Sequence, residues 1–375
     1  MLRRAVLLVL AALCAACGNG GHPVTPHPAD AIPAKLSEWG VVVADGAHFE
    51  LGDGVVPYDV NTPLFSDYAL KLRAVWLPPG GRVVYNSERE LDFPVGTILI
   101  KNFHYEKAAG FGPASLRVVR ADRESTLGAD GRLDLGTYVL IETRLLVHYD
   151  TGWKGLAYVW NAAQDEAYLA PAGDESAIEL VGADGVEPVH YLVPDANQCA
   201  GCHTPDHSAK ALRPLGPKAW QLNRPYAYWG DDAGQLEHWR SAGMLEGLDG
   251  DPPSGVRWAD RASETPERRA RAYLDANCAH CHNPRGAADT SALDLSLSAP
   301  SGRHLGICKP PVAVGRGSGD RSYDIFPGRP DESIIVYRMQ QSAPDIAMPE
   351  LGRSAVHSEG VAAVRAWIAE MNGTC

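Results

Sequence analysis

The stretch "STLGADGRLDLGTYVLIETRLLVHYD" (125–150), continued by "TGWKGLAYVWN" (151–161), sets the reading of the fold. An Asp-Gly pair, Asp130–Gly131, stands between two apolar runs, a turn signal of the hairpin kind. Leu156, Tyr158 and Trp160 then alternate with Gly155, Ala157 and Val159, the period of two that a half-buried strand needs. The same pattern lies on either side, in "VVVADGAHFEL" (41–51) and "AIELVGADGVEPVHYLVP" (177–194). Short β runs punctuated by Gly, Pro and Asp, with no convincing long helix, predict an antiparallel sandwich or barrel-like domain over residues 36–195.

The last of these runs feeds into "NQCAGCHTPDH" (197–207), where Cys199, Cys202 and His203 fall in the order Cys-x-x-Cys-His. "YLDANCAHCHNPRG" (273–286) repeats the order with Cys278, Cys281 and His282. This spacing is that of covalent haem c: two thiols reach the two vinyl groups of one porphyrin, and the adjacent imidazole takes one axial position of the iron. A zinc ribbon would place its Cys-x-x-Cys knuckles about 15–20 residues apart, and the gap here is several times that. A thioredoxin-like pair would want a βαβ setting that neither motif has. The cofactors expected are two covalently attached haems c.

After residue 195 the character changes. In "SETPERRARAYLDANCAHCH" (263–282), Thr265 is placed as N-cap, Pro266 as first helical residue and Glu267 in the first turn. Ala270, Tyr273, Leu274 and Asn277 share one face of that helix. In "HSEGVAAVRAWIAEMN" (357–372), Val361, Val364, Ile368 and Met371 do the same. Two such helices able to cross predict an α+β chain in which residues 196–375 form a mainly α-helical cytochrome c-like region, with a second haem domain at about 263–375. The first motif lacks a preceding helix, so its pocket is expected to be irregular and to lie between the β domain and the helical region.

His203 and His282 each take one face of an iron, and the opposite face separates a carrier from a catalyst. The chain has five Met. Met348, in the loop-like "APDIAMPELG", is the candidate for the second haem, while Met339 and Met371 read as helix core. Met244, after the C-cap candidate Gly243, is the candidate for the first; its neighbours Leu236 and Trp239 also allow a core role. His104, His148, His190 and His238 stand as alternatives, and His207 lies too close to His203 to cross the porphyrin. Near Pro214, Pro217 and Pro284 a backbone carbonyl can accept an Nδ1–H, and Arg213 and Arg285 can meet propionates.

At the N-terminus, Arg3 and Arg4 precede an apolar run and then small residues, as in a signal peptide over 1–16. "LCAACGNGG" (13–21) resembles a lipobox, which makes Cys17 the lipidation candidate; plain cleavage into the periplasm is the alternative. Residues 17–35 read as a flexible tether. Setting aside Cys14, Cys17 and the motif cysteines leaves Cys308 and Cys375, a disulfide candidate in an oxidising compartment. Over 375 residues the formal net charge is −12. That argues against nucleic acid and for a neutral or basic protein partner.

The phrases "VNTPLFSDYALKLRAVWLPPG", "FPVGTILIKNF", "IETRLLVHYDTGWKGLAYVWN", "NQCAGCH", "YLDANCAHCH" and "AMPELG" together resemble a family of functionally uncharacterised bacterial di-haem c-type cytochromes, from about residue 36 onward. The resemblance implies an exported, often lipid-anchored protein with two haems and a β-rich N-terminal region; it implies no substrate. Three functions are open to test. One is an electron relay between redox partner proteins of the periplasm or membrane, with no catalytic residue. The second is a peroxidase-like enzyme with an open first haem. The third is a β domain that binds a cell-envelope polymer or partner protein through Trp76, Trp153 and Trp160, with the haems as sensor or local electron sink.

Overall fold

The alternation read at 155–160 lies in the central sheet of the molecule in a computed structural model that describes residues 21–112, 115–125, 127–228 and 231–375. In chain order the strands of the first half are β1 (Val42–Ala44), β2 (His48–Leu51), β3 (Val56–Tyr58), β4 (Leu70–Trp76), β5 (Val83–Val84), β6 (Ile98–Glu106) and β7 (Leu116–Val119). They continue with β8 (Arg132–Asp134), β9 (Tyr138–Tyr149), β10 (Gly152–Trp160), β11 (Ala167–Leu169), β12 (Asp174–Gly182) and β13 (Gly185–Val193). Six of them form an antiparallel sheet in the order β11-β10-β9-β6-β4-β3.

Each face of this sheet is covered by different elements. Leu72, Ala74, Ile98, Ile100, Leu145, Leu156 and Tyr158 pack against Trp39, Val42 and Phe49, beneath the small sheet β1-β2-β8. On the opposite face, Phe103, Tyr105, Ile141 and Ala157 meet Ile178, Leu180, Val189 and Tyr191 of the sheet β13-β12-β7. Farther along that same face, Val75, Leu99 and Leu146 meet Leu222, Leu236 and Trp239 from later in the chain. The two apolar patches on one face leave a gap between them, and the functional site lies there.

Later in the chain come α1 (Ala196–His203), α2 (Ala219–Leu222), β14 (Pro225–Tyr228), β15 (Asp231–Gly234), α3 (Gln235–Ser241), β16 (Leu245–Glu246), α4 (Pro266–Asn277), α5 (Ile334–Met339) and α6 (Ser358–Glu370). The expected mainly α-helical cytochrome c-like region is not what forms. The chain is mostly β, with 27% of residues in strands and 18% in helices. Part of the physical reason is legible between α4 and α5: Pro284 and Gly286, then Pro300, Gly302, Gly306, Pro310 and Pro311, break the stretch at both ends, and only short 3₁₀ turns form in it. Residue 195 is not a boundary between cores either. Strand β16 pairs in parallel with β5, and α2 and α3 pack onto the large sheet. The second core gathers Trp258 with Ala270, Tyr273, Leu274, Val336, Val364, Trp367 and Ile368.

Within that core α4 and α6 do cross. A Cβ built on Gly360 would stand 2.3 Å from the Tyr273 ring, so the absence of a side chain sets the approach of the helices. Thr265 caps α4, its hydroxyl accepting from the Arg268 N–H. Cys308 and Cys375 form a disulfide that ties the C-terminus back to the long loop. The tether expected at 17–35 is corrected over its described part: Val24 and Ile32 pack on the first core, and the Thr25 N–H donates to the Trp39 carbonyl. Cys17 and the signal segment lie outside the described residues. No helix among the described residues is long and apolar enough to cross a membrane.

Polar contacts lock the two halves. The buried Asp67 carboxylate accepts from the N–H groups of Ser354 and Ala355, at 2.7 Å each. The Phe65 N–H donates to Asn277 Oδ1, and the Tyr68 hydroxyl donates to Glu359. His357, buried at the head of α6, stacks on Phe65 and faces Asp122.

Candidate haem-attachment site

The first motif is carried by a helix of its own. Asp195 caps α1 with its carboxylate, accepting from Asn197 and Gln198, while Gln198 Oε1 accepts from the Asp195 N–H; this reciprocal pair starts a helix directly after a strand. Cys199, Cys202 and His203 all lie within α1, which rests on β10 where Gly155 leaves room beside Cys199. The Arg213 carbonyl lies 2.8 Å from His203 Nδ1. A carbonyl only accepts, so Nδ1 carries the proton and Nε2 presents its lone pair. Burial holds the His203 imidazole down at about 4, which keeps it neutral at pH 7 and able to ligate.

The second motif follows the end of α4, with Cys278 as C-cap. His282 Nδ1 lies 3.0 Å from Ser291 Oγ, and that hydroxyl donates to the Ala288 carbonyl at 2.6 Å. The hydroxyl has one hydrogen and it is spent on Ala288, so His282 Nδ1–H must donate, and Nε2 is again the free atom. Burial holds His282 at about 4 too.

Far apart in sequence, the two motifs meet. Cys202 Sγ, a ring nitrogen of His280 and Cys281 Sγ all lie within 4.8 Å of one another. Cys281 donates weakly to the Gly201 carbonyl, the His207 N–H donates to the Arg285 carbonyl, and Arg285 faces Asp206 at 3.6 Å. Burial pushes the Cys199 thiol up, and Cys278 up to about 12. The close approach of the two thiols pulls Cys202 down and pushes Cys281 up.

A cavity of about 730 Å³ opens here, between the large sheet and the second core. That is within the range of cofactor pockets, about 300–1,000 Å³. Its wall includes Cys199, Cys202, His203, Cys278, His280 and Met348. Cys281 and His282 are not among its lining residues. The donor set fits covalent haem: four thiols outside any disulfide, two imidazoles with oriented Nε2 atoms, and an adjoining cavity. Cys202, His280 and Cys281 also make a three-donor set that a soft divalent metal would accept if no porphyrin were attached.

Met348 lies in the loop between α5 and α6, with its N–H on the Arg338 carbonyl and its own carbonyl accepting from Arg353. Leu351, in the same loop, sits 3.3 Å from where a Cβ on Gly201 of the first motif would be, and the loop shares the cavity wall with Cys278 and His280 of the second. Met339 is buried at the end of α5 and also reaches the cavity, while Met371 caps α6 against the second core. Met244, the candidate for the first haem, lies elsewhere. It packs against the cluster of Val83, Leu236 and Trp239 and takes no part in the cavity wall, because the turn after α3 is held by β5, whose Val83 N–H donates to the Met244 carbonyl.

The alternative histidines are engaged elsewhere. His104 is bonded at both nitrogens by Asn102 and Ser125, His148 stacks on Trp153, His190 pairs with Glu175 on the surface, and His238 stacks on Tyr228. Arg213 is held by Glu90. Trp160 and Trp76 pack with the first core and Trp153 on the other side of the sheet, so they form no common binding face. Sequence reasoning missed His280, although it lies inside the second motif; Ser291, whose spacing from His282 carries no signal; and Lys101, whose place on a doubly covered sheet needs the tertiary structure. Comparison with protein-family models, with curated proteins and with solved structures finds no match.

Proposed function

We propose that the chain is an exported di-haem c-type cytochrome, anchored by lipid at Cys17 and facing the periplasm, that passes electrons between protein partners of the cell envelope. The observation that carries this reading is the meeting of the two Cys-x-x-Cys-His motifs at Cys202, His280 and Cys281 beside one large cavity. Haem supplies a one-electron couple, and two of them attached at adjoining motifs form a relay inside one chain. The chain's own residues orient the two imidazoles through Arg213 and Ser291 and offer Met348 as a further ligand. The Cys17 anchor rests on the sequence, and the charge of −12 suits a neutral or basic partner.

The experiment is optical and EPR spectroscopy of the full chain matured with its haems, with a haem-to-protein ratio. Two low-spin haems with a sulfur-to-iron charge-transfer band agree with the relay; a chain that takes up no haem when matured sinks it. A second reading, a peroxidase-like enzyme open at the first iron, is favoured by the position of Met244 in an apolar cluster away from the cavity. One high-spin haem with peroxide turnover would select it.

A further inference from the structure

Strand β6 reads Ile98-Leu99-Ile100-Lys101-Asn102-Phe103. Ile98 and Ile100 enter the first core; Leu99 and Phe103 enter the two patches on the opposite face. By the period of two, Lys101 lies between Leu99 and Phe103 on that covered face, and it lines the cavity. The register sets Arg73 directly opposite it on β4 and Arg144 directly opposite it on β9, both also in the cavity wall. Like charges at directly opposed positions destabilise a sheet, and here three cations stand in a row.

The row is only partly neutralised. Arg73 pairs with Asp59, and Arg144 with Glu142. The whole cavity wall carries eight Lys and Arg against six Asp and Glu, in a chain whose net charge is −12. Six of the eight cations have a carboxylate within 4.0 Å, and Arg353 is spent on backbone carbonyls. Among the described residues no carboxylate lies within 4.0 Å of Lys101; its ammonium sits over the face of the Phe103 ring, at 4.9 Å, with Glu142 acting on it from farther off. Burial, Arg73, Lys71 and Arg144 together hold its ammonium well below the ordinary lysine range, against an opposing pull from Glu142. The centre and one end of the row act on the first motif: Lys101 on His203 and Arg144 on Cys199.

We propose that Lys101, flanked by Arg73 and Arg144, is a carboxylate-binding site beside the first motif, occupied by a porphyrin propionate or by a free small carboxylate. The propionate source rests on the proposed haem function; the free carboxylate does not.

The test compares the full chain with Lys101→Met, which keeps the length of the side chain and removes its charge. Both are matured with haem, dialysed, and followed by melting temperature, spectroelectrochemistry and acetate titration. If a propionate is held, Lys101→Met lowers the melting temperature and shifts one haem potential, and acetate does nothing to the parent chain. If a free carboxylate is held, acetate raises the melting temperature of the parent chain, and Lys101→Met weakens that response at least tenfold with the potentials unmoved. Removing one of three like charges would by itself raise the melting temperature. A rise or no change in Lys101→Met, with equal potentials and equal acetate response, overturns the proposal; so does a fall with neither response altered. If no haem is attached, the acetate titration still decides the site, so the two readings fail separately.

Discussion

The two Cys-x-x-Cys-His motifs have the same local chemistry and opposite settings. The first is a short helix laid on a β-sheet, with its histidine held by a backbone carbonyl ten residues on. The second ends a capped helix inside an apolar core, with its histidine held by a serine hydroxyl and Cys278 packed on that core. One identical sequence signal therefore does not bring one identical scaffold. The motif fixes the local order of two thiols and an imidazole, and the surrounding fold decides how firmly that order is tied to the stability of a core.

The largest effects should separate the motifs outright. Under the proposed function, Cys199→Ala with Cys202→Ala, and separately Cys278→Ala with Cys281→Ala, each reduce the haem content from two per chain to one, read by pyridine haemochrome and mass. The second pair should also lower the melting temperature more, because Cys278 touches the second core. Zinc in place of haem in the parent chain would replace the comparison with a metal clamp at Cys202, His280 and Cys281.

Next in size is the methionine contrast. Met348→Ala should abolish a sulfur-to-iron charge-transfer band, whereas Met244→Ala should leave every haem spectrum unchanged and cost about 1 kcal/mol, the loss of a partly buried side chain. Spectral change in Met244→Ala and none in Met348→Ala would reverse the ligand assignment.

The seam between the regions rests on Asp67. Asp67→Ala strands two buried N–H donors and should cost about 2–4 kcal/mol in urea unfolding, while Asp67→Asn, which still offers an oxygen, costs less. Burial raises the Asp67 carboxyl from 3.8 to about 6, so the folded chain binds the extra proton. This group's contribution is then fully favourable below pH 3.8 and falls as pH rises to about 6, by about 3 kcal/mol in all. Asp67→Asn should flatten that slope in a pH series of unfolding curves.

The smallest effect tests the histidine supports. Ser291→Ala removes the acceptor of His282 Nδ1–H, makes the imidazole a weaker donor, and should raise one haem potential by up to about 60 mV, a tenfold change for one electron. No side-chain substitution can do the same at His203, whose acceptor is backbone. A fall in potential, or no change, would mean that the serine does not tune the iron.

Much of the fold was legible. Asp45–Gly46 and Asp184–Gly185 are turns between paired strands, β1 with β2 and β12 with β13. Leu156, Tyr158 and Trp160 do face one core, and Thr265 with Pro266 does open α4. Asp130–Gly131 is instructive for the opposite reason: it precedes β8, which pairs with the distant β2 rather than with its neighbour. A turn signal names a reversal but not the strand that will be paired. The helical reading of residues 196–375 generalised from α4 and α6 across a stretch whose Gly and Pro forbid helix. A C-cap glycine shows that a helix stops and not which core receives the residues beyond it, and Met244 joins the apolar cluster around Trp239.

By itself the sequence determined what depends on neighbours within a few residues: strand alternation, helix caps, and the Cys-x-x-Cys-His spacing. Only the tertiary structure decided that Cys202 meets Cys281, that the Met348 loop borders both motifs, that Met244 does not reach the cavity, and that Lys101 stands between two arginines on a covered face. The physical reason is that covalent spacing fixes the direction of a side chain, whereas what it meets is set by which apolar surfaces bury one another across the whole chain.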